Sequence, residues 1–388
     1  MFDAAFFRDP YPIYARLRAT GPVQRITTRY PFWLITGYPE SRTALADPRL
    51  SKQTSRYQHL FAREGNLRNI APAIRYSLLA TDPPEHTRLR RLVSKAFTAN
   101  ATERLRPCIE QVTARLLERL KQQRRADLVA DLAIPLPLTL ICDLLGVPER
   151  DRTQVHAWSN SFFLAGDPGL RDAASHHISG YMADLVAAKR TRPASDLTSD
   201  LIAVRDGGDA LTEQELISLL TLTLIAGHET TTNLIANTAL ILLTHPAVHS
   251  AVQSDPRIVD AVVEETLRYE SPFGIATIRF TSEPVCYADV EIPAEEKVMV
   301  ALGAANRDPR QFPSPDTFDP SRDTTGHLAF GHGPHYCPGA RLARLETTIA
   351  IRALTTELPD LRLAVPAHDV PWRASRQMRG PQALPVVW

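Results

Sequence analysis

The residues best suited to chemistry lie in one short stretch, Phe330-Gly331-His332-Gly333-Pro334-His335-Tyr336-Cys337-Pro338-Gly339-Ala340. Glycines and prolines surround a single cysteine, just ahead of apolar residues at helical spacing, Leu342, Leu345 and Ile349. That pattern predicts a tight loop running into a helix N-terminus. A sulfur held there faces free N–H groups and the positive end of the helix dipole, both of which favour the thiolate. Such a cysteine can attack a substrate, bind a metal, or simply fill space beside a turn. No Cys or His stands at zinc-finger spacing from Cys337, which argues against a four-ligand zinc site. A second candidate is Ala226-Gly227-His228-Glu229-Thr230-Thr231, set in the middle of an apolar stretch. Glycine in mid-helix costs ~1 kcal/mol relative to alanine, and an acid is expensive to bury unless paired. Local rules broken together in a buried element point to function. The bland alternative is a polar kink with a threonine hydroxyl bonded back to its own helix.

The elements that must position these residues are legible from period and punctuation. A helix from Thr212 to about His245 opens with a capping box, Thr212 and Glu215, and stops before Pro246. It is apolar nearly all round and long enough to span roughly 50 Å, so it reads as a buried central helix. A second helix, Asp260 to Tyr269, carries Glu265 and Arg268 three apart. A third, within Thr81–Phe97, places His86 and Arg90 on one face. Residues 101–146 give further amphipathic helices, broken near Pro135 and Pro137, and Asp151–Arg190 gives a pair joined through Gly166–Gly169. A polar turn is expected over Arg205–Ala210, and a long loop with a helical turn or two over residues 51–80. Strands are expected at 22–26, 32–36, 276–280, 297–302, 361–365 and 384–388. The chain is therefore mainly α with a minor β part, read as one domain over 1–388, with β-rich portions about 22–36, 275–303 and 361–388.

Composition narrows the function classes. The 388 residues are 44% hydrophobic and 22% charged with a formal charge of +1, which argues against a nucleic-acid-binding surface. Four cysteines (Cys108, Cys142, Cys286, Cys337) lack a framework spacing and suit a reducing cytosol. No apolar run reaches the ~18 residues of a membrane span. A cytoplasmic protein, monomeric and free of the membrane, is the expectation.

The order Phe330…Gly333…Cys337…Gly339 resembles the haem-binding loop of the cytochrome P450 superfamily, which needs only one cysteine as the axial thiolate of haem b iron. The other parts occur in family order, and the resemblance covers nearly the whole chain. It implies a P450 fold, with the haem between the long central helix and the Cys337 loop. It also implies that Gly227 lets the flat ring and dioxygen approach, that Thr230 hydrogen-bonds the oxygen, and that Glu229 passes protons inward. Phe330 and Gly339 flank the ligand; His86, Arg90, Arg279 and His335 match positions that bind haem propionates. Glu265 and Arg268 match a buried pair that supports the haem pocket, and Arg322 is the candidate third member, because Thr317 stands where many relatives carry arginine. Pro338 departs from the pattern by removing an N–H that could point at the sulfur.

The same resemblance implies a monooxygenase. It would insert one atom of O2 into a C–H bond of a mostly apolar secondary metabolite, most like the actinobacterial enzymes acting on macrolides and related polyketides. Electrons would come from a separate ferredoxin and ferredoxin reductase, since no flavin or iron–sulfur domain is visible. Arg88, Arg91, Lys95, Arg341 and Arg344 would offer that ferredoxin a basic patch. An oxidative coupling enzyme would keep all the same parts; a non-catalytic haem-thiolate carrier or sensor would need Cys337 without Glu229 and Thr230.

Overall fold

A computed structural model describes residues 2–164, 167–206 and 211–388. Its axis is the central helix, Glu213–Thr244. Thr212 caps it: the Thr212 hydroxyl accepts from the Glu215 N–H at 3.2 Å, and the Glu215 carboxylate accepts from the Thr212 N–H at 2.9 Å. The capping box fixes where the helix starts, and Pro246 opens the next helix, Pro246–Ser254, after a bend of 104°. From Leu216 to Leu242 most side chains are buried, because helices lie against this one on several sides. Pro135–Leu145 and Pro168–Thr191 pack on it, as do Val259–Tyr269 and the helix after the cysteine loop, Ala340–Glu357. Among the described residues no single helix is long and apolar enough to cross a membrane.

Two apolar clusters meet at the central helix. One is built from its C-terminal half with Leu116, Leu132, Val263, Leu267, Ile351 and Leu354. The other joins its N-terminal half to Ile141, Leu145, Phe162, Ile178 and Val186. Between them lies the stretch around Gly227 and Glu229, where polar groups interrupt the apolar wall.

The β part packs against the helix Tyr38–Ala46 and, through Val386, against the C-terminal apolar cluster. Strands β1 (Val23–Ile26) and β2 (Phe32–Ile35) form an antiparallel hairpin with Val23 opposite Ile35. They join β3 (Leu50–Ser51), β5 (Arg279–Thr281) and β8 (Lys297–Val300) in a sheet ordered β1-β2-β8-β5-β3, parallel only between β2 and β8. Strand β4 (Arg125–Asp127) pairs with β10 (Pro385–Val387), which pairs with β9 (Arg362–Leu363), and β6 (Val285–Tyr287) and β7 (Val290–Ile292) make a hairpin.

The helical run breaks where Pro135 and Pro137 predict it: the helical turn Val129–Ala133 ends at Ile134, and a new helix opens at Pro135 with both prolines in its first turn, where backbone N–H groups have no intrahelical acceptor and proline is tolerated. The short strands β3 and β4 and the helix Leu197–Asp206 had no pattern long enough to read. The turn expected over Arg205–Ala210 begins inside that helix and otherwise lies outside the described residues, as does Gly166 of the expected joint.

Candidate active site

The loop before Ala340–Glu357 folds as its glycines require. Gly333 has φ +71°, and a Cβ there would meet Ala46 Cα at 2.9 Å, so the loop packs backbone to backbone on the helix Tyr38–Ala46. The Cys337 N–H donates to the Phe330 carbonyl at 2.9 Å, closing the loop on itself. The Phe330 ring lies under the Arg344 guanidinium, 4.5 Å from Cζ to centroid. Burial pushes the Cys337 thiol up, against the Gly339 N–H and the charges of Arg90 and Arg344, which pull it down. The helix-terminus argument alone pointed to a free thiolate; burial outweighs it. A half-buried thiol held up in this way is a poor free nucleophile and becomes a thiolate by giving its proton up to a metal. A Cβ on Gly339 would lie 3.9 Å from the Cys337 sulfur, ordinary contact, so what Gly339 contributes is its N–H rather than empty space.

Beside the loop, basic groups crowd together. His86 is buried with Nε2 unpartnered, and His335 Nδ1 is unpartnered as well; the two rings lie 4.1 Å apart. Arg279 is buried in β5 with one bond, to the Thr277 carbonyl at 3.2 Å. Arg90 donates to the Tyr336 carbonyl at 2.6 Å. Lys52, also buried, gives its three protons to Thr277 O, Thr277 Oγ1 and Ile278 O at 3.1, 2.6 and 2.7 Å. Burial and then the charges of Lys52, His86, Arg279 and Arg90 hold His335 down to about 2. Burial pushes Arg279 down to about 10. The nearby carboxylate is Asp82, and it is already engaged by Ser51 Oγ (2.6 Å) and the Lys52 N–H (2.8 Å). A buried cationic cluster with orphaned donors is costly unless anions join it. Two carboxylates placed there, as the propionates of haem b would be, satisfy His86, His335 and Arg279 together, so these residues fit the cofactor.

On the central helix, Glu229 is 1% exposed, with Oε2 2.8 Å from Arg373 Nη1. His228 Nε2 and His156 Nδ1 stand 3.4 and 3.8 Å from Oε1. Burial alone would raise this carboxyl, but His228, Arg373 and His156 bring it down to about 2. His228 Nδ1 lies 2.8 Å from the Leu224 carbonyl, which can only accept, so Nδ1 carries a hydrogen and Nε2 faces the acid. Arg373 is held by Asn160 Oδ1 at 2.8 Å and Asn233 Oδ1 at 3.3 Å. Thr230 Oγ1 donates to the Ala226 carbonyl at 3.0 Å, and Ala226 is exposed, so this edge of the helix borders open space. A Cβ on Gly227 would strike Ile141 Cδ1 at 2.6 Å, so the glycine lets the helix Pro135–Leu145 come close, and the neighbouring Ala226, one helical step round, is exposed to the open side.

Glu265 and Arg268 are both 0% exposed and joined by two bonds, 2.7 and 2.6 Å. Arg268 also donates to the carbonyls of Asn306 and Pro315 at 3.0 and 2.8 Å. Arg322 Nε lies 3.4 Å from Glu265 Oε1, and the Asp319 N–H donates to the same oxygen at 3.0 Å. The irregular segment before the cysteine loop thus hangs on one buried ion pair. Sequence reasoning missed Lys52, His156 and Arg373. Each reaches the site from a distant segment, and nothing in its local pattern marks it.

The whole chain compares with known proteins as the site does. Residues 22–145 and 170–373 match the family model Cytochrome P450. The chain is 47% identical over 391 residues to Cytochrome P450 107B1 of Saccharopolyspora erythraea, covering 99% of this chain and 96% of that one. It is 42% identical over 392 residues to 6-deoxyerythronolide B hydroxylase of the same organism, covering 98% and 96%. Its fold superposes on the tirandamycin C-bound P450 monooxygenase TamI with a TM-score of 0.94 at 44% identity, covering 99% and 98%. With a glycine-shaped cysteine loop, a basic cluster fit for two propionates and a likeness along its full length, this chain belongs to the cytochrome P450 family, the haem-dependent monooxygenases.

Proposed function

We propose that this protein hydroxylates a mostly apolar secondary metabolite of the polyketide type, with epoxidation as the same chemistry on an alkene. The observation that carries the reading is Cys337, a half-buried sulfur on a glycine-shaped loop beside basic groups that lack anions. A relative named for hydroxylating 6-deoxyerythronolide B and a neighbour solved with tirandamycin C support the substrate class.

Haem b, held through the Cys337 sulfur, supplies the iron that activates oxygen. The chain's own residues do the rest. His86, His335, Arg279 and Arg90 hold the propionate side, and Lys52 adds charge behind them. Thr230 Oγ1 keeps its hydrogen on the Ala226 carbonyl and offers its lone pairs to the open side. Glu229 holds a carboxylate against Arg373, and His156, whose side chain is 23% exposed, stands 3.8 Å away on the side open to water. We read the protein as one cytoplasmic, monomeric domain that receives electrons from a separate ferredoxin and its reductase. Arg91, Lys95 and Arg341 are exposed and suit an acidic partner. Arg88 and Arg344 belong to the patch less, being paired with Glu215 and Glu264.

Two results test this. Purified protein, reduced and treated with carbon monoxide, should give the thiolate-type absorption band, and Cys337→Ser should lose it while keeping its circular dichroism. A wild-type protein that takes up no haem would overturn the reading. Glu229→Gln keeps the volume but removes the charge that holds Arg373, so kcat should fall about 10²-fold with the substrate Kd unchanged. Equal kcat in both proteins would remove Glu229 from the proton route.

A further inference from the structure

One group of inward-facing side chains holds more lone pairs than donors. His156, on the helix Arg152–Phe163, and His228 and Glu229, on the central helix, bring three ligand atoms within 4.8 Å of one another. His228 is 0% exposed and Glu229 1%. His228 Nε2, His156 Nδ1 and both Glu229 oxygens are shut off from water without a well-formed hydrogen bond, an arrangement that is costly as it stands. The His228 Nδ1 hydrogen goes to the Leu224 carbonyl, which leaves Nε2 as an acceptor facing a second acceptor, Glu229 Oε1, across 3.4 Å. Two acceptors in that position repel unless something positive lies between them. The spacing is close to that of neighbouring ligands around tetrahedral zinc, where bonds of ~2.0–2.1 Å set ligand atoms roughly 3.3 Å apart. His156 Nδ1, 3.8 Å from the same oxygen, needs only a small shift to join.

The surroundings are those that metal ligands require. The Leu224 carbonyl fixes the orientation of the His228 ring. Arg373 Nη1 lies 2.8 Å from Oε2, so the carboxylate turns one oxygen to the arginine and the other to the histidines. Asn160 and Asn233 hold that arginine, and Asn160 follows His156 by four residues on one helix, so both reach the cluster from the same face. Burial holds His156 below the ordinary imidazole value against the pull of the Glu229 charge, so its ring keeps a free lone pair at neutral pH. Its side chain is 23% exposed, which gives an ion a way in. The Arg373 charge opposes a second cation and so limits the affinity without closing the site.

We propose that His156, His228 and Glu229 bind a divalent cation of the zinc type, with water as the fourth ligand, at a site apart from the Cys337 loop. Two imidazoles and one carboxylate suit zinc, whereas magnesium prefers oxygen ligands throughout. An ion bound there ties up Oε1 and stops Glu229 from passing protons. That consequence, unlike the site itself, rests on the monooxygenase reading.

The test is calorimetry with zinc chloride on the purified protein after treatment with a chelator. One site per chain is expected, with a Kd of roughly 1 µM. His156→Phe and Glu229→Gln, the second of which keeps the side-chain volume, should each weaken it at least about 100-fold at unchanged circular dichroism. His59→Ala, which removes a surface histidine 3.5 Å from Glu295, should leave it as it was. Absence of saturable binding, a site that survives both of the first two variants, or a site lost in His59→Ala would each overturn the proposal. With zinc bound, turnover by the wild type should fall about 10²-fold and return when the chelator is added. Zinc that binds at these residues without slowing turnover upholds the site and removes Glu229 from the proton route. A missing carbon monoxide band overturns the monooxygenase reading and leaves the calorimetry as it stands.

Discussion

Arg268→Ala should leave little or no folded, haem-loaded protein. The guanidinium makes two bonds to Glu265, at 2.7 and 2.6 Å, and further bonds to the carbonyls of Asn306, Pro315 and Thr317. Both side chains are 0% exposed. Removing one partner of such a pair strands the other charge, at a cost of about 3–5 kcal/mol. Each carbonyl left without a donor adds ~1–3 kcal/mol unless water reaches it. Arg322, 3.4 Å from Glu265 Oε1, relieves part of the charge but cannot reach the orphaned Asn306 carbonyl without leaving its own contacts with Ser314 and Thr317. The total approaches the ~5–15 kcal/mol by which whole proteins are stable. The segment from Asn306 to Asp319 would lose its anchor, and the cysteine loop comes directly after it. The measurement is haem content and thermal midpoint of the variant, with Arg268→Lys as the intermediate case. An Arg268→Ala protein with full haem content and a wild-type midpoint would mean that the pair is no more than a passenger.

That pair was legible because its two members lie three apart on one helix, and so was the central helix, whose capping box and continuous apolar surface need no tertiary knowledge. The cysteine loop was legible for a similar reason: its chemistry and its backbone requirements fall within a dozen residues. What sequence could not give was direction. Gly227 and Ala226 differ by one helical step, and only the packing of Ile141 against the former decides which of them borders open space. Arg373, His156 and Lys52 come to the site from segments far apart in the chain, and no local pattern distinguishes them from solvated charges. The basic patch shows the converse error: Arg88 and Arg344 look outward by helical phase, yet each meets an acid from another helix. The break near Pro135 and Pro137 was legible because proline lacks the N–H that a continuing helix needs, and both stand in the first turn of the helix that follows, where that N–H would have no acceptor.

Glu346→Gln should make the protein more stable at alkaline pH and leave it nearly unchanged in acid. Glu346 stands on the helix Ala340–Glu357, is 1% exposed, and has Oε2 without a partner. Burial pushes its carboxyl from the ordinary 4.5 up to about 8. A group with a raised folded pKa binds its proton more tightly in the native state than in the unfolded one. Its contribution is therefore fully favourable below about 4.5, is lost progressively as pH rises, and is exhausted above about 8. At about 1.4 kcal/mol per pKa unit, the rise from 4.5 to about 8 makes the penalty at high pH up to about 5 kcal/mol. Glutamine has nearly the same shape and cannot ionise, so it removes the penalty and the pH dependence together. At low pH it exchanges one neutral group for another, with a change of about 1 kcal/mol or less, since both leave a polar atom to be satisfied. Urea midpoints of the two proteins at pH 5 and pH 8.5 give the answer, with the midpoints nearly coincident at the first and well separated at the second. Parallel curves at both pH values would mean that the native state supplies Glu346 with a partner or with water when it ionises, and that the helix behind the cysteine loop is less dry than its packing implies.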